Sequence, residues 1–281
     1  MINTILSLVA VLFYGIAVTW QSFYFARKVT LQRSKGWSAI SADRQAVQIH
    51  THKITELWFF GFAAILLHTI LLYYTIDVGI GQNLSFFNLL SLVAWLVALL
   101  VLIATINKPI VANLTFFAFP FAAASIVLTL LFPRFAIVNT AAKPNELVHI
   151  ILSTVAFSLL CIAALQAILL AILERQLRHS PNAKALQILP PLEIMESLLF
   201  KMIAIGFIFL TAVLVTSFWS FYPVLFTQFR QKTLLALVAW LVFATLLLGR
   251  KFFGWRGQQA VRWTLSGVFF VMLTYFSSEF L

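Results

Sequence analysis

ELVHIILSTVAFSLLCIAALQAILLAILER, residues 146–175, sets the class of the whole chain. From Leu147 to Leu173 it carries no acidic or basic charge, and that run exceeds the roughly 20 apolar residues a helix needs to cross a bilayer. His149 stands three residues after Glu146, at a depth where an imidazole still reaches water yet faces into a helix bundle. Ser153 follows one helical turn later on the same face, and Phe157 continues it. Ala156, Ala163, Ala164 and Ala167 are small enough to let a neighbouring helix approach closely. Chemistry in this chain is expected to gather around His149.

The rest of the sequence repeats the pattern. The chain is 62% hydrophobic and 10% charged over 281 residues, far more apolar than one soluble core of that length. Apolar segments fall at about 3–26, 54–75, 88–106, 110–132, 147–173, 197–218, 233–249 and 262–280. This predicts an all-α, polytopic membrane protein of about eight transmembrane helices, a single transmembrane domain over residues 1–281. The first segment has no Lys or Arg before it and no small-x-small cleavage site after it, so it reads as an uncleaved helix. The net charge of +11 reflects topology rather than nucleic-acid binding. All but Arg134, Lys143, Arg230 and Lys232 of the 19 Lys and Arg residues fall on one side, which is therefore cytoplasmic, with both termini outside.

Several chemistries have no foothold. Cys161 is the one cysteine, and the chain has no CxxC pair, CxxCH haem-attachment site, Walker loop, GxGxxG or HExxH. The eight acidic residues sit in loops or at span ends, which argues against a proton-coupled pump or transporter. Histidine remains. His50 and His52 belong to a long inside loop and could share a metal only in extended backbone; an interfacial loop is the competing reading. His68 interrupts the span LLHTILLYY, either as a functional group or as a neutral imidazole bonded to a neighbouring helix. His149 is either an interfacial structural histidine or an axial ligand for haem iron, which wants an apolar, aromatic slot with cations near its propionates. Phe116, Phe117, Phe119 and Phe121 surround Pro120, where a kink is expected. The hexapeptide LVAWLV recurs at 92–97 and 237–242, which marks possible halves 1–132 and 147–281 unless the recurrence is chance.

The stretches HIILSTVAFSLLCIAALQAILLAILERQL (149–177), PPLEIMESLLFKMIAIGFIFLTAVLVTS (190–217) and WLVFATLLLGRKFFGWRGQQAVRWTLSGVFFVMLTYFSSEFL (240–281), with GQNLSFFNLLSLVAWL (81–96) as a looser match, carry a family likeness. The chain resembles the bacterial cytochrome c assembly family of haem-handling membrane proteins, within it the branch of HemX-like and YpjD-like inner-membrane proteins. The resemblance implies a polytopic inner-membrane protein that binds or presents haem at its outer face. His149 falls on the external histidine that begins a span, and His68 is similar to the histidine carried within an early span. The family synthases add a WGxxWxWD loop. Here the corresponding stretch is SFWSFYPVLFTQFRQKT, with Trp219 and Lys232 retained and Arg230 where the aspartate would stand. Leu248 takes the place of an intramembrane histidine, and the chain ends at Leu281, before the synthases' second external histidine.

The expectation is a haem-binding or haem-responsive protein, accessory to cytochrome c biogenesis or haem homeostasis and not itself a synthase. His149 would be the iron ligand, with His68 as second ligand or pocket hydrogen-bonding group. Ser153, Phe157, Trp219 and Trp240 are candidate pocket residues, while Arg230 and Lys232 lie on the side where they can pair with propionates. The expected partners are membrane lipid, haem and a membrane or haem-synthesis protein. The competing readings are a membrane scaffold that regulates a partner protein and a small-solute transporter.

Overall fold

Each apolar segment is a helix in the computed structural model, which describes residues 2–34, 41–79, 81–107, 109–139, 144–179, 192–221 and 230–277. In chain order the helices are α1 (Ile2–Ser34), α2 (Ser41–Ile76), α3 (Phe86–Asn107), α4 (Thr115–Leu131), α5 (Pro144–His179), α6 (Leu192–Phe221), α7 (Arg230–Phe253) and α8 (Gln258–Phe276). The all-α polytopic class read from composition is the class adopted. Helices outrun their apolar cores at charged ends: α5 continues past Leu173 to His179, with Glu174 and Arg178 paired at 2.9 Å one turn apart.

Two details differ from the sequence reading. The fourth segment opens as a 3-10 helix, Pro109–Leu114, before α4 begins, and Gln21 donates to the Ala112 carbonyl there at 2.6 Å. α2 begins at Ser41, so residues 50–52 are helical rather than looped, and the extended backbone that a His50, His52 chelate requires is not formed. The side chains of His50 and His52 lie outside the described residues, as do Pro190 and Pro191.

Side chains are sorted as a bilayer requires. On α1 the buried seam is Ser7, Ala10, Tyr14, Ala17 and Gln21, small or polar groups spaced alternately by three and four. The exposed face of the same helix carries Ile5, Leu8, Leu12, Ile16, Trp20 and Phe23. Large apolar groups outside and small or polar ones inside are stable only when lipid covers the outer face.

Among the described residues, seven helices, α1 to α7, contain stretches long and apolar enough to cross a membrane. α8 has 19 residues, which at about 1.5 Å each span roughly 28 Å, close to the hydrocarbon thickness. Its ends reach both ends of the bundle. At one, the Gly257 N–H donates to Glu196 Oε1 at 3.2 Å, and at the other the Tyr275 hydroxyl donates to the carbonyl of Phe86, the first residue of α3. The turn between α7 and α8 uses the left-handed backbone of Gly254 (φ 65°) and Gly257 (φ 60°).

The helices contact one another in two rings. α1, α2, α3 and α4 close one, each touching the next and α4 touching α1; α5, α6, α7 and α8 close the other in the same order. The rings meet chiefly through α3 and α5. At the centre of the first, His68 is fully buried, its Nδ1 3.2 Å from the Tyr14 hydroxyl and its Nε2 2.8 Å from Ser91 Oγ. Tyr14 also packs on Phe119 of α4, ring centroids 5.3 Å apart, so this set ties together all four helices.

A strap and a latch finish the two ends. At the cation-poor end, called outer below, β1 (Gln82–Asn83) pairs antiparallel with β2 (Ile137–Val138), an element the sequence reading did not foresee. Asn83 holds it, donating to Arg134 O at 3.1 Å and accepting from Ala136 N at 2.9 Å. At the inner end, Arg250 of α7 pairs with Glu196 of α6 at 2.9 Å, and Gln258 of α8 donates to Glu174 of α5 at 3.0 Å.

Two outcomes test this packing. His68→Ala leaves the Tyr14 and Ser91 hydroxyls without their buried partner, at about 1–3 kcal/mol for each group left unsatisfied, and should lower the unfolding midpoint in detergent. Gly267→Ala places a Cβ 2.6 Å from the fully buried ring of Phe243, and overpacking of this kind costs about 1–3 kcal/mol. The same exchange at the exposed neighbour Ser266 should leave the midpoint near that of the wild type.

Candidate functional site

A cavity of about 380 Å³ lies within the second ring, inside the range of small-molecule sites, about 300–1,000 Å³. Four helices of that ring line it, and Leu89 and Val93 of α3 close it from the first ring. Its deeper wall is apolar, with Ala156, Phe157, Leu210, Val213, Ala236 and Val271. Its outer wall is polar, because α5 and α7 begin there and α6 ends there: His149, Ser217, Lys232 and Thr233 all face it. An apolar body with one polar or anionic edge matches this division.

His149 sits at the junction of the two walls. Its Nδ1 is 3.3 Å from Ser217 Oγ and 3.5 Å from Thr216 Oγ1. The single hydroxyl proton of Thr216 goes to the Val213 carbonyl at 3.0 Å, so toward the imidazole Thr216 accepts. Ser217 is nearer, and its hydroxyl can donate to Nδ1 or accept from it, so the two hydroxyls orient the ring and either neutral tautomer satisfies them. Ser153 donates to the His149 carbonyl at 2.6 Å and lines the cavity one turn deeper. Among the described residues no group of three or more His, Cys, Asp or Glu side chains is placed to hold a metal ion. A lone imidazole suits an iron whose equatorial ligands come from a macrocycle, and the apolar walls suit the macrocycle itself. The donor set therefore fits haem.

Aromatic contacts shape the wall between the rings. Phe157 stacks on Tyr275 with centroids 5.4 Å apart, and Tyr275 packs on Phe86 at 5.0 Å while bonding its carbonyl. α8 is thereby pinned against α3, and the cavity gains a flat aromatic side.

The structure brings together His149, Ser153, Phe157 and Lys232 from the expected set. It does not bring His68 to them: both its ring nitrogens are engaged in the first ring, the bonded-imidazole alternative the sequence left open. Trp219 is 83% exposed near the end of α6 and is not among the cavity-lining residues. Trp240 donates Nε1–H to Thr211 at 2.9 Å and stacks on Phe207, so it packs α7 on α6 and does not line the cavity. The Arg230 side chain lies outside the described residues. Sequence reasoning missed Thr216, Ser217, Thr233 and Tyr275. The adjacent hydroxyls of Thr216 and Ser217, closing an otherwise apolar span, were the available signal for the first two.

Comparison with known proteins gives this arrangement a family. Residues 56–281 match the model of the family described as cytochrome C assembly protein. The chain is 34% identical over 209 residues to inner membrane protein YpjD of Escherichia coli strain K12, covering 72% of this chain and 76% of that protein. The counterparts in strains O6:H1 and O157:H7 match to the same extent. No solved structure matches the chain. The chain is thus a multi-pass inner-membrane protein, related to cytochrome c biogenesis, and belongs to the cytochrome c assembly protein family.

Proposed function

We propose that this protein binds haem in the cavity of the second ring and serves cytochrome c biogenesis or haem homeostasis as an accessory factor, without covalent catalysis of its own. The observation that carries the reading is His149 at the polar rim of an apolar, aromatic-walled cavity, with Nδ1 held by hydroxyls. Membership of the cytochrome c assembly protein family supports it.

When bound, haem would supply an iron that accepts an imidazole nitrogen and two propionates that need cations. His149 would hold the iron through its imidazole, which the hydroxyls of Ser217 and Thr216 orient. Lys232 lies on the same rim as His149 and offers an ammonium to a propionate, with Arg230 two residues earlier in the chain. Phe157 and Tyr275 provide a flat aromatic wall, and Leu210 and Val213 add apolar surface to the lining. Ser153 and Thr154 bond back to their own helix at His149 O and Ile150 O, so their hydroxyls add little polarity to the deeper wall.

Absorbance of the detergent-purified protein titrated with haemin is the direct test. The wild type should develop a Soret band and sharp bands on reduction. His149→Ala should lose them, and an unchanged spectrum in that variant would remove the assignment. Lys232→Met should keep the band shape and weaken haemin binding about tenfold, equivalent to about 1.4 kcal/mol. An unchanged affinity would take Lys232 out of the propionate role.

A further inference from the structure

The hexapeptide shared by α3 and α7 makes the same contact twice. Trp95 donates Nε1–H to Thr69 of α2 at 2.9 Å, and Trp240 donates Nε1–H to Thr211 of α6 at 2.9 Å. These paired bonds bring the two rings into register, helix for helix. The residue before Thr69 is His68, and the residue before Thr211 is Leu210. Ser91 immediately precedes the first hexapeptide, and Ala236 immediately precedes the second.

In each ring an aromatic pair also joins the first helix to the fourth, though Phe119 stands near the start of α4 and Tyr275 near the end of α8. In the first, Tyr14 of α1 packs on Phe119 of α4 with centroids 5.3 Å apart; in the second, Phe157 of α5 packs on Tyr275 of α8 at 5.4 Å. At the corresponding inner positions, the first ring holds the bonded set Tyr14, His68 and Ser91, all fully or almost fully buried. The second holds Phe157, Leu210 and Ala236, and all three line the cavity. We infer that the two rings are copies of one four-helix unit, and that Phe157, Leu210 and Ala236 keep the second copy open where Tyr14, His68 and Ser91 tie the first copy shut.

Volume is not the reason, because leucine and histidine are of similar size. The difference lies in cross-linking. Two hydrogen bonds through one imidazole join α1, α2 and α3, and breaking them would leave three polar groups unpaired in a low-dielectric interior. A phenyl ring, an isobutyl group and a methyl group have no such directional bond to make, so beyond the Trp240–Thr211 bond that both rings share in kind, these three positions add no cross-link among α5, α6 and α7. The apolar lining that results accepts an apolar ligand body without stranding a polar group. These three residues thus set the site's selectivity for flat or extended apolar groups. The inference rests on the cavity being a binding site and does not require haem as its occupant.

The test installs the set of the first ring in the second. In a chain with Cys161→Ala and Ser153→Cys, a water-soluble maleimide reports access to the cavity in detergent, and haemin titration of the chain with native Ser153 reports binding. Adding Phe157→Tyr, Leu210→His and Ala236→Ser together should slow labelling at least tenfold and weaken haemin binding at least tenfold, with no loss of the unfolding midpoint. Labelling at the original rate in a folded triple variant would overturn the inference. If haemin binds to none of the chains but labelling slows as expected, the haem reading falls and the inference stands. The converse variant covers failure of the triple variant to fold. Ser91→Cys alone should resist the maleimide, whereas Ser91→Cys with Tyr14→Phe and His68→Leu should be labelled, and equal resistance of both would also overturn the inference.

Discussion

Inside a bilayer a polar atom has no water to fall back on, so each one buried in this bundle must be given a protein partner. Among the described residues, no buried side-chain nitrogen or oxygen lacks one. The partners are what define the helix neighbours. Gln21 joins α1 to the start of α4 through Thr115 and the Ala112 carbonyl, and Gln166 joins α5 to α6 through the Met195 carbonyl. Ser158 reaches from α5 to the Val93 carbonyl of α3, and Tyr275 reaches from α8 to the Phe86 carbonyl. Apolar contact alone discriminates poorly between helix faces when lipid is as good a neighbour as leucine. These few directional bonds decide which face meets which.

The same economy explains why α5 matters most. Leu160, Ala163 and Ala167 on it are fully buried, and Gly206 of α6 sits where an added Cβ would lie 2.8 Å from Leu160, so the two backbones approach closely. α5 also carries the contact between the rings and presents His149 at its outer end. A helix gripped along most of its length by its neighbours is a rigid mount for a ligand, and a donor five residues from its start inherits that rigidity.

Much of this was legible in the sequence, and the limits have physical causes. Span length and charge spacing gave every helix, because bilayer thickness is a one-dimensional constraint. His149, Ser153 and Phe157 were legible as a face because helical periodicity is local. His68 was ambiguous: an intramembrane imidazole looks the same whether it faces a ligand or, as found, Tyr14 and Ser91 from other helices. Trp219, retained at the family's tryptophan-rich loop, and Trp240 were expected at the site, yet one faces outward and the other packs α7 on α6, since rotation about a helix axis is set by neighbours absent from local sequence. The strap of β1 and β2 was invisible for another reason. Two-residue strands carry no periodicity, and Asn83 reads as an ordinary loop residue until Arg134 and Ala136 are brought beside it.

The two ends of the second ring are built for different tasks. At the inner end, Glu196 accepts from both Arg250 and the Gly257 N–H while Glu174 accepts from Gln258, so carboxylates bind α5 and α6 to the turn that joins α7 and α8. Such charge-assisted bonds are stronger than neutral ones, and Arg250 also rests over the Phe200 ring at 4.2 Å. At the outer end the same helices present hydroxyls, an imidazole and an ammonium to a cavity. The second ring is thus clamped by charge-assisted bonds at its inner end and lined by polar groups at its outer end. The polarity of the site therefore follows from the placement of Glu174 and Glu196 as much as from His149.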